Sequence, residues 1–395
     1  MKVLMLGWEL PPFNSGGLGV ACFQLCKSLA KNNVDIEFVL PYITDQSNEF
    51  MTIASTSPKS FSELKHHINV YDNSHYLTTH EITSEQMNYE KFVEKKVTDQ
   101  QYDIIHAHDW LTFRAGMKAK QVSGLPLVVH VHSIESDRAG GEAGNPMIRE
   151  IEQMGLQMAD IIIAVSERTR QLISKQYHIP LDKIQVVHNS IDVEELSALD
   201  DNNIYTYLEV LKKDGYKIVT NVGRLTIQKN ITGLMKAAKE VVAVLPKTIF
   251  LIVGSGEQFH ELIALAADLG ILQNVIFTGF QRGKAWRDAF SVADLFVMPS
   301  ISEPFGITPL EAINYGTPSL ISHQSGVSEI FKNCLKVDFW DCNEMANQIV
   351  GFLQNKGISD TLTKNASSEV KKLSWNESAS KLVDIYTQHT SGAVA

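Results

Sequence analysis

Two series of short apolar segments, each alternating with amphipathic helical stretches, most constrain what this chain can fold into. Most of the segments are apolar without strict alternation, the pattern of strands buried on both faces. Strands that alternate with helices predict parallel sheets joined by right-handed crossovers. The predicted strands are 2–7, 35–40, 103–106, 127–131, 161–165 and 184–188, then 217–223, 248–254, 274–279, 294–299 and 318–321. The predicted helices include 18–31, 146–158, 230–243, 256–269 and 307–315.

A polar and acidic stretch separates the two series. The apolar pattern stops after Ile191 and restarts at Lys217, which puts a domain boundary near 195–215. We therefore expect two doubly wound α/β domains, 1–200 and 201–373. Residues 374–395 read as a C-terminal amphipathic helix, with Ser374 as its cap.

Charge and hydropathy exclude several classes of protein. The chain has 35 Lys and Arg against 45 Asp and Glu, so no basic footprint for nucleic acid is present. We find no run of ~18 apolar residues, so no transmembrane helix is expected. The apolar start is interrupted by Glu9 and reads as a first strand rather than a signal peptide, which makes the cytoplasm the expected location.

The four cysteines do not form a disulfide framework in a chain of 395 residues. Cys22 and Cys26 lie four positions apart on a predicted helix, on the same face as Leu18, Leu25 and Leu29. Reduced cysteine at such positions acts as a small hydrophobic residue, so we expect both to pack in the core.

Glycines follow the first predicted strand. Ligands of open parallel sheets bind beyond the carboxyl ends of the strands, so these glycines lie where a ligand is expected. Gly16 and Gly17 open the first helix, where free N–H groups and the helix dipole favour a phosphate. A dinucleotide fingerprint is the alternative, but its third glycine is missing and the loop is long. An ordinary turn is the other alternative.

Histidines end two neighbouring predicted strands. His108 and Asp109 follow the strand 103–106, and His132 follows the strand 127–131. His-x-His pairs place two imidazoles on one strand face, which raises the alternative of a metal site. The local sequence supplies no cysteine or carboxylate cluster to complete one, so no metal is expected. His106 and His130 lie earlier on their strands and read as core histidines.

Basic residues and glycines follow strands of the second series. Arg224 and Lys229 come between a strand and a helix, where two cations suit a diphosphate whose charge grows as it leaves. Gly254 and Gly256 would permit a close approach of a nucleotide. Phe280 lies in a turn that could flank a base. Ordinary turn chemistry is the alternative for both turns.

Residues 299–312 are the most informative segment. Gly306, Ile307 and Thr308 expose N–H groups at a helix start, directly after Phe305. Glu303 precedes this start and Glu311 lies about one turn into the helix. Carboxylates accept hydrogen bonds from vicinal hydroxyls, so one suits a sugar and the other a ribose.

These segments together resemble the retaining glycosyltransferases of the GT-B fold, and among them the glycogen and starch synthases and their relatives of the family 4 type. The resemblance rests on the Glu-x7-Glu element from Glu303 to Glu311 and on Asp109 within His-Ala-His-Asp-Trp. It rests also on Ser-Gly-Gly-Leu-Gly at 15–19 and on Arg224 with Lys229. The resemblance covers residues 1 to 385. One departure is Asn14, which stands where glycogen and starch synthases have a lysine.

The resemblance implies two Rossmann-like domains facing across a cleft, with an acceptor-side domain first and a donor domain second. The helix 374–395 would cross back to the first domain. A nucleotide-diphosphate sugar (UDP-, ADP- or GDP-linked) would be the donor, with retention at the anomeric carbon and no required metal or cofactor. Arg224 and Lys229 would hold the diphosphate, Glu303 and the 306–308 backbone the sugar, and Glu311 the ribose. Asp109 and His132 would line the sugar site.

The expected function is transfer of a hexosyl group to a hydroxyl acceptor, such as a glucan or another saccharide. The base, sugar, acceptor and oligomeric state are not encoded in any motif, although 44–100 and 135–145 are expected near the acceptor. An epimerase or phosphorylase of the same fold, a non-catalytic sugar-binding protein and an NAD(P)-dependent oxidoreductase are the alternatives.

Overall fold

The computed structural model describes residues 1–14, 16–44, 48–68, 79–193 and 202–390, without the side chains of 65–68 and 79–83. The chain divides into two compact units. The first unit comprises Met1–Glu135, Ala143–Ser190 and Ser374–Ala395, and the second comprises Ser136–Glu142 and Ile191–Leu373.

A seven-stranded parallel sheet forms the first unit, in the order β3-β2-β1-β4-β5-β6-β7. Its central strands are buried along their length except at Lys2 of β1, because helices cover both faces of the sheet and most residues of these strands are apolar. The strands are β1 (Lys2–Leu6), β2 (Asp35–Leu40), β3 (Thr52–Ser55), β4 (Ile104–His108), β5 (Leu127–Val131), β6 (Ile161–Ala164) and β7 (Ile184–Val186).

A six-stranded parallel sheet forms the second unit, in the order β10-β9-β8-β11-β12-β13. Val219, Phe250 and Leu295 of its central strands pack into one core with the covering helices. The strands are β8 (Lys217–Val222), β9 (Thr248–Val253), β10 (Val275–Gly279), β11 (Leu295–Met298), β12 (Ser319–Ser322) and β13 (Leu335–Val337). The sheet reverses its order at β8 and β11, and ligands of doubly wound folds bind at such a point.

Fifteen α-helices connect or flank the strands within the described residues. Several begin with side-chain caps. The Ser166 hydroxyl accepts a hydrogen bond from the N–H of Thr169, and the Asp341 carboxylate accepts one from the N–H of Glu344. The helices are α1 (Gly17–Lys31), α2 (Phe61–Ile68), α3 (Thr79–Asp99), α4 (Trp110–Ser123), α5 (Glu135–Arg138), α6 (Pro146–Met158), α7 (Glu167–Tyr177), α8 (Thr206–Lys213), α9 (Ile231–Val244), α10 (Phe259–Asp268), α11 (Gly283–Ser291), α12 (Thr308–Asn314), α13 (Cys342–Gln354), α14 (Lys356–Val370) and α15 (Trp375–Thr390).

The predicted fold class, two Rossmann-like parallel-sheet domains, is confirmed for each unit. The edge strands β3 and β13 are absent from the prediction, because both are short and only partly apolar. The segment 135–145, expected near the acceptor, begins with the short helix α5. Ser15, residues 194–201 of the boundary region and residues 391–395 lie outside the described residues.

Helix α15 belongs to the first unit, although the second unit precedes it in the chain. The Ser374 hydroxyl accepts a hydrogen bond from the N–H of Asn376 at the start of the helix. Buried Tyr386 places its hydroxyl against Nδ1 of His106 on β4. The chain therefore returns to the first sheet by burying one apolar helix face there.

Candidate active site

An ion pair between Lys229 and Glu303 lies beyond the ends of β8 and β11. Lys229 Nζ is 2.5 Å from Glu303 Oε2, and the Ser300 hydroxyl donates to the same oxygen at 3.0 Å. The Glu303 side chain is nine-tenths buried and that of Lys229 about four-fifths. Two of the residues predicted from separate motifs therefore meet at one point.

The loops that carry this pair are fastened to each other by backbone and amide hydrogen bonds. Gln228 accepts from the Ile301 N–H through its backbone carbonyl, and its side-chain amide donates to the Ser302 carbonyl at 2.9 Å. Asn230 adopts a left-handed conformation, caps α9 and donates to the carbonyls of Pro299 and Phe339. These contacts fix the position of Lys229 without using its ammonium group.

Arg224 lies on the same loop as Lys229, directly after β8. The guanidinium is partly buried and its Nη2 is 3.5 Å from the side-chain oxygen of Gln228. Gln228 therefore holds the arginine on one side and the Glu303 loop on the other. The two cations expected at a diphosphate thus share one rigid turn.

The loop before α12 turns at Gly306, whose φ of 90° lies in the left-handed region. A Cβ there would come within 2.9 Å of Glu303 Cγ and 2.8 Å of Met298 Cε, so glycine is required by both conformation and space. Phe305 is buried beside it, while Ile307 and Thr308 begin the helix. The leading N–H groups of a helix have no intrahelical acceptor, which leaves this turn able to bind an oxygen.

Glu311 lies on α12, one turn beyond Gly306, and is partly buried. Burial raises the pKa of its carboxyl to about 7, because a charged carboxylate is poorly solvated there. When ionised, this carboxylate can accept hydrogen bonds from the hydroxyl groups of a ligand.

Gly254 and Gly256 follow β9 and pack against the turn that carries Arg224. A Cβ on Gly254 would lie 1.8 Å from the Gly223 carbonyl oxygen, and one on Gly256 would lie 2.3 Å from the Leu225 carbonyl oxygen. Both glycines therefore allow two loops to pack tightly. This packing explains the glycines structurally, in addition to the predicted close approach of a nucleotide. Phe280 follows β10 at the same sheet edge, is half-exposed and contacts the Arg282 guanidinium at 5.1 Å.

In the first unit, Asp109 joins β4 to α4 in a strained conformation. Its φ of 56° and ψ of 170° belong to a region that only glycine adopts readily, at a cost on the order of 1–3 kcal/mol for other residues. The buried carboxylate accepts from the backbone N–H of His132 at 2.6 Å and of Ser133 at 3.3 Å. Asp109 therefore orients the loop that carries His132, and the structure brings these two predicted residues together.

Four histidines of β4 and β5 form a stack next to Asp109. His108 Nδ1 is 2.9 Å from His132 Nε2, and His106 Nε2 is 3.2 Å from His130 Nδ1. Burial lowers the pKa of all four, to about 3 for His106 and His132, so the imidazoles are neutral at neutral pH. His106 is a satisfied core histidine as expected, but His130 keeps a buried Nε2 without a hydrogen-bond partner.

Gly16 and Gly17 lie exposed at the start of α1, and a Cβ on either would meet no atom within 4 Å. Nothing in the fold itself requires glycine there, which is compatible with close approach of a ligand. Gly19 is the packed glycine of this motif, since its N–H donates to the buried Glu9 carboxylate at 3.3 Å.

Sequence reasoning missed several residues that build these sites. Lys229 and Glu303 are positioned by Asn230, Gln228 and Ser300. The sequence signal for these three residues was that each lies within three positions of Lys229 or Glu303. Asp137 joins the second unit with residues 136–142, and its carboxylate accepts from the Ser302 hydroxyl at 2.5 Å. The sequence offers no signal for that contact.

Two family models cover most of the chain. Residues 15–195 match the model described as Glycosyltransferase Family 4, and residues 208–369 match that of Glycosyl transferases group 1. An uncharacterised glycosyltransferase of Methanocaldococcus jannaschii is 30% identical over 397 residues, which cover 98% of each chain. No helix within the described residues is both long and apolar enough to span a lipid bilayer.

Solved structures agree with the two-sheet architecture. Sucrose-phosphate synthase from Thermosynechococcus elongatus aligns with a TM-score of 0.78 at 18% identity, covering 99% of this chain and 100% of that one. HepE of Anabaena in complex with UDP-glucose aligns at 0.73 and 18% identity, covering 98% and 100%. Fold and comparisons together define a glycosyltransferase of the GT-B class. Within it, the chain belongs to the family 4 and group 1 glycosyltransferases.

Proposed function

We propose that this protein is a retaining glycosyltransferase that moves a hexosyl group from a nucleotide-diphosphate sugar to a hydroxyl acceptor. The observation that carries the proposal is the Lys229–Glu303 pair beside the Gly306–Thr308 turn. It offers a cation, a carboxylate and free backbone N–H groups within one loop system. Each has a matching group on the donor: the diphosphate for the cation, a sugar hydroxyl for the carboxylate, and a phosphate or sugar oxygen for the N–H groups.

Arg224 and Lys229 take the role of leaving-group stabilisers in this proposal. Negative charge grows on the diphosphate as the sugar–phosphate bond breaks, and fixed cations stabilise that state most. The ammonium of Lys229 pairs with the carboxylate of Glu303. A bound diphosphate competes for the ammonium, which leaves the Glu303 carboxylate able to accept hydrogen bonds from the sugar.

The remaining predicted residues take binding roles. The 306–308 backbone supports the sugar or a phosphate, Glu311 accepts from the ribose hydroxyls, and half-exposed Phe280 flanks the base. In the first unit, Asp109 and His132 are proposed to contact the transferred sugar, His132 as a neutral imidazole. Gly16 and Gly17 leave room for a phosphate.

The proposed chemistry is a front-face displacement. The sugar–phosphate bond breaks through an oxocarbenium-like state, and the acceptor hydroxyl attacks from the same face. The departing phosphate oxygen takes the hydroxyl proton, so the protein mainly positions groups and stabilises charge. We favour this route over a covalent Glu303 intermediate, because Glu303 precedes Pro304 in a loop that this proposal assigns to the hydroxyls of the donor.

UDP-sugars are the first donors to test, because the similar HepE structure is described with UDP-glucose. The resemblance to glycogen and starch synthases favours a saccharide acceptor. A thermal-shift screen with UDP-, ADP- and GDP-sugars identifies the donor, since a ligand that binds only the folded state raises apparent stability.

Stereochemistry and one variant pair test the proposal. We expect proton NMR of the initial product from an α-linked donor to show an α-anomer, and a β-anomer would refute retention. Lys229→Ala should lower turnover by about a hundredfold or more, since it removes a group that acts in the transition state. Lys236→Ala, an exposed lysine on α9, is the matched control and should keep full turnover. Equal turnover of the two variants would contradict the role of Lys229.

A further inference from the structure

Tertiary folding brings a cysteine to two of the stacked histidines. Cys22 lies on α1, His108 ends β4 and His132 follows β5, all in the first unit. Their candidate ligand atoms lie within 4.8 Å of one another. The sequence places Cys22 more than eighty positions from His108, so local spacing gives no sign of this group.

The geometry points to a three-residue site for a soft divalent cation, with Zn²⁺ as its type, formed by Cys22, His108 and His132. A thiolate and two imidazoles are the ligand set that zinc prefers, and a fourth position stays open for water. Because His108 Nε2 faces Met5 Sδ at 3.0 Å, the nitrogen that points to His132 is Nδ1.

The distances need only small adjustments to hold zinc. Tetrahedral bonds of about 2.0 Å to nitrogen and 2.3 Å to sulfur separate neighbouring ligand atoms by about 3.3–3.6 Å. The two imidazole nitrogens are 2.9 Å apart, so they open by about 0.4 Å while the cation replaces their hydrogen bond. Rotation of the thiol closes the remaining gap.

Negative charge nearby favours a cation at this point. Burial raises the pKa of the Cys22 thiol, and the carboxylates of Asp109 and Glu9 act in the same direction. The same negative potential attracts a cation, and a coordinated thiol loses its proton. Coordination needs a thiolate, so binding of Zn²⁺ releases the proton of Cys22.

A second group, His106, His108 and His130, also has ligand atoms within 4.8 Å. All three imidazoles are fully buried, and His106 is bound to Tyr386 and His130. His132 is only partly buried, which gives a cation access to the group that contains Cys22. The site therefore involves Cys22 rather than the inner histidines.

The functional consequence rests on the proposed role of His132 in sugar binding. A cation on His132 Nε2 engages the imidazole that the transferred sugar is proposed to contact, so Zn²⁺ inhibits transfer in competition with the donor. The site regulates the enzyme and takes no part in the reaction.

Cobalt spectroscopy on the whole protein, stripped with EDTA, tests the site without any activity. Co²⁺ should bind one to one, with a thiolate-to-cobalt charge-transfer band and the visible bands of a tetrahedral ion. Cys22→Ser should lose the charge-transfer band, whereas Cys26→Ser, buried on the same helix, should keep it. Absence of the band in the unaltered protein, or its persistence in Cys22→Ser, overturns the proposal. Should Cys22→Ser not fold, His132→Gln must weaken Co²⁺ binding at least tenfold, and unchanged binding overturns it equally.

Zinc inhibition tests the regulatory part. Zn²⁺ should inhibit transfer by the unaltered enzyme and by Cys26→Ser, but not by Cys22→Ser, which keeps its basal turnover. Inhibition that is equal in all three proteins refutes the regulatory role. A protein that binds Co²⁺ as described but transfers no sugar from any donor counts against the proposed function and not against the metal site.

Discussion

The carboxyl of Glu311 makes donor binding pH-dependent near neutrality. Burial raises its pKa to about 7, whereas an unperturbed glutamate titrates near 4.3. A group with a pKa of 7 is about nine-tenths ionised at pH 8 and about one-tenth ionised at pH 6. The ribose hydroxyls are proposed to donate to the ionised form, so the binding-competent fraction falls over this interval.

The magnitude follows from that fraction. If the donor binds only the carboxylate form, its Kd rises about tenfold from pH 8 to pH 6, which is about 1.4 kcal/mol. Hydrogen bonds to a charged group contribute about 1.5–3 kcal/mol, so binding is strong enough to lower the pKa of Glu311. Because about half of the carboxyls are protonated at pH 7, binding there releases up to about half a proton per protein.

Isothermal titration calorimetry with UDP-glucose, or with the donor that the screen selects, measures this effect. The nucleotide-sugar diphosphate carries no terminal phosphate monoester, whose own pKa near 6 would confuse the result. Titrations in buffers of different ionisation enthalpy count the released proton. Glu311→Gln should bind more weakly at pH 8 and show no pH dependence, while Glu261→Gln, an exposed residue of α10, should behave like the unaltered protein. A Kd that is constant from pH 6 to 8, or a pH dependence that survives in Glu311→Gln, would refute the reasoning.

Three further predictions concern stability, each measured by urea unfolding. Because the pKa of Glu311 is raised on folding, its ionisation lowers the free energy of unfolding as pH rises from about 4.3 through 7. Glu311→Gln should therefore stabilise the protein by up to about 4 kcal/mol at pH 8 and not at pH 4. Gly254→Ala should destabilise the protein by more than about 2 kcal/mol, since the new Cβ would lie 1.8 Å from the Gly223 carbonyl oxygen. The control Gly351→Ala, in α13, should stabilise it by about 0.5–1 kcal/mol. Similar changes in stability for the two variants would contradict the close contact at Gly254. At the strained position 109, Asp109→Gly should be more stable than Asp109→Ala by about 1–3 kcal/mol, the reverse of the usual order, and the usual order would show that no strain is stored there.

The sequence by itself determined the two parallel sheets and the end of each strand at which candidate residues lie. Buried strands must be apolar on both faces, and alternating helices leave only a few chain paths. Carboxyl ends of parallel strands share one edge, so residues after β8 and β11 could be expected to meet. Lys229 and Glu303 do meet, although they are 74 positions apart.

Only the tertiary structure decided contacts that depend on the register and packing of distant segments. Residues 136–142 belong to the second unit although the residues on either side of them belong to the first. Cys22 lies beside His132 because α1 packs near the end of β5. No local sequence pattern indicates either arrangement. The raised pKa of Glu311 and the strain at Asp109 have the same origin. Periodicity reports which face of an element is apolar, whereas desolvation and backbone strain arise from the neighbours that the complete fold supplies.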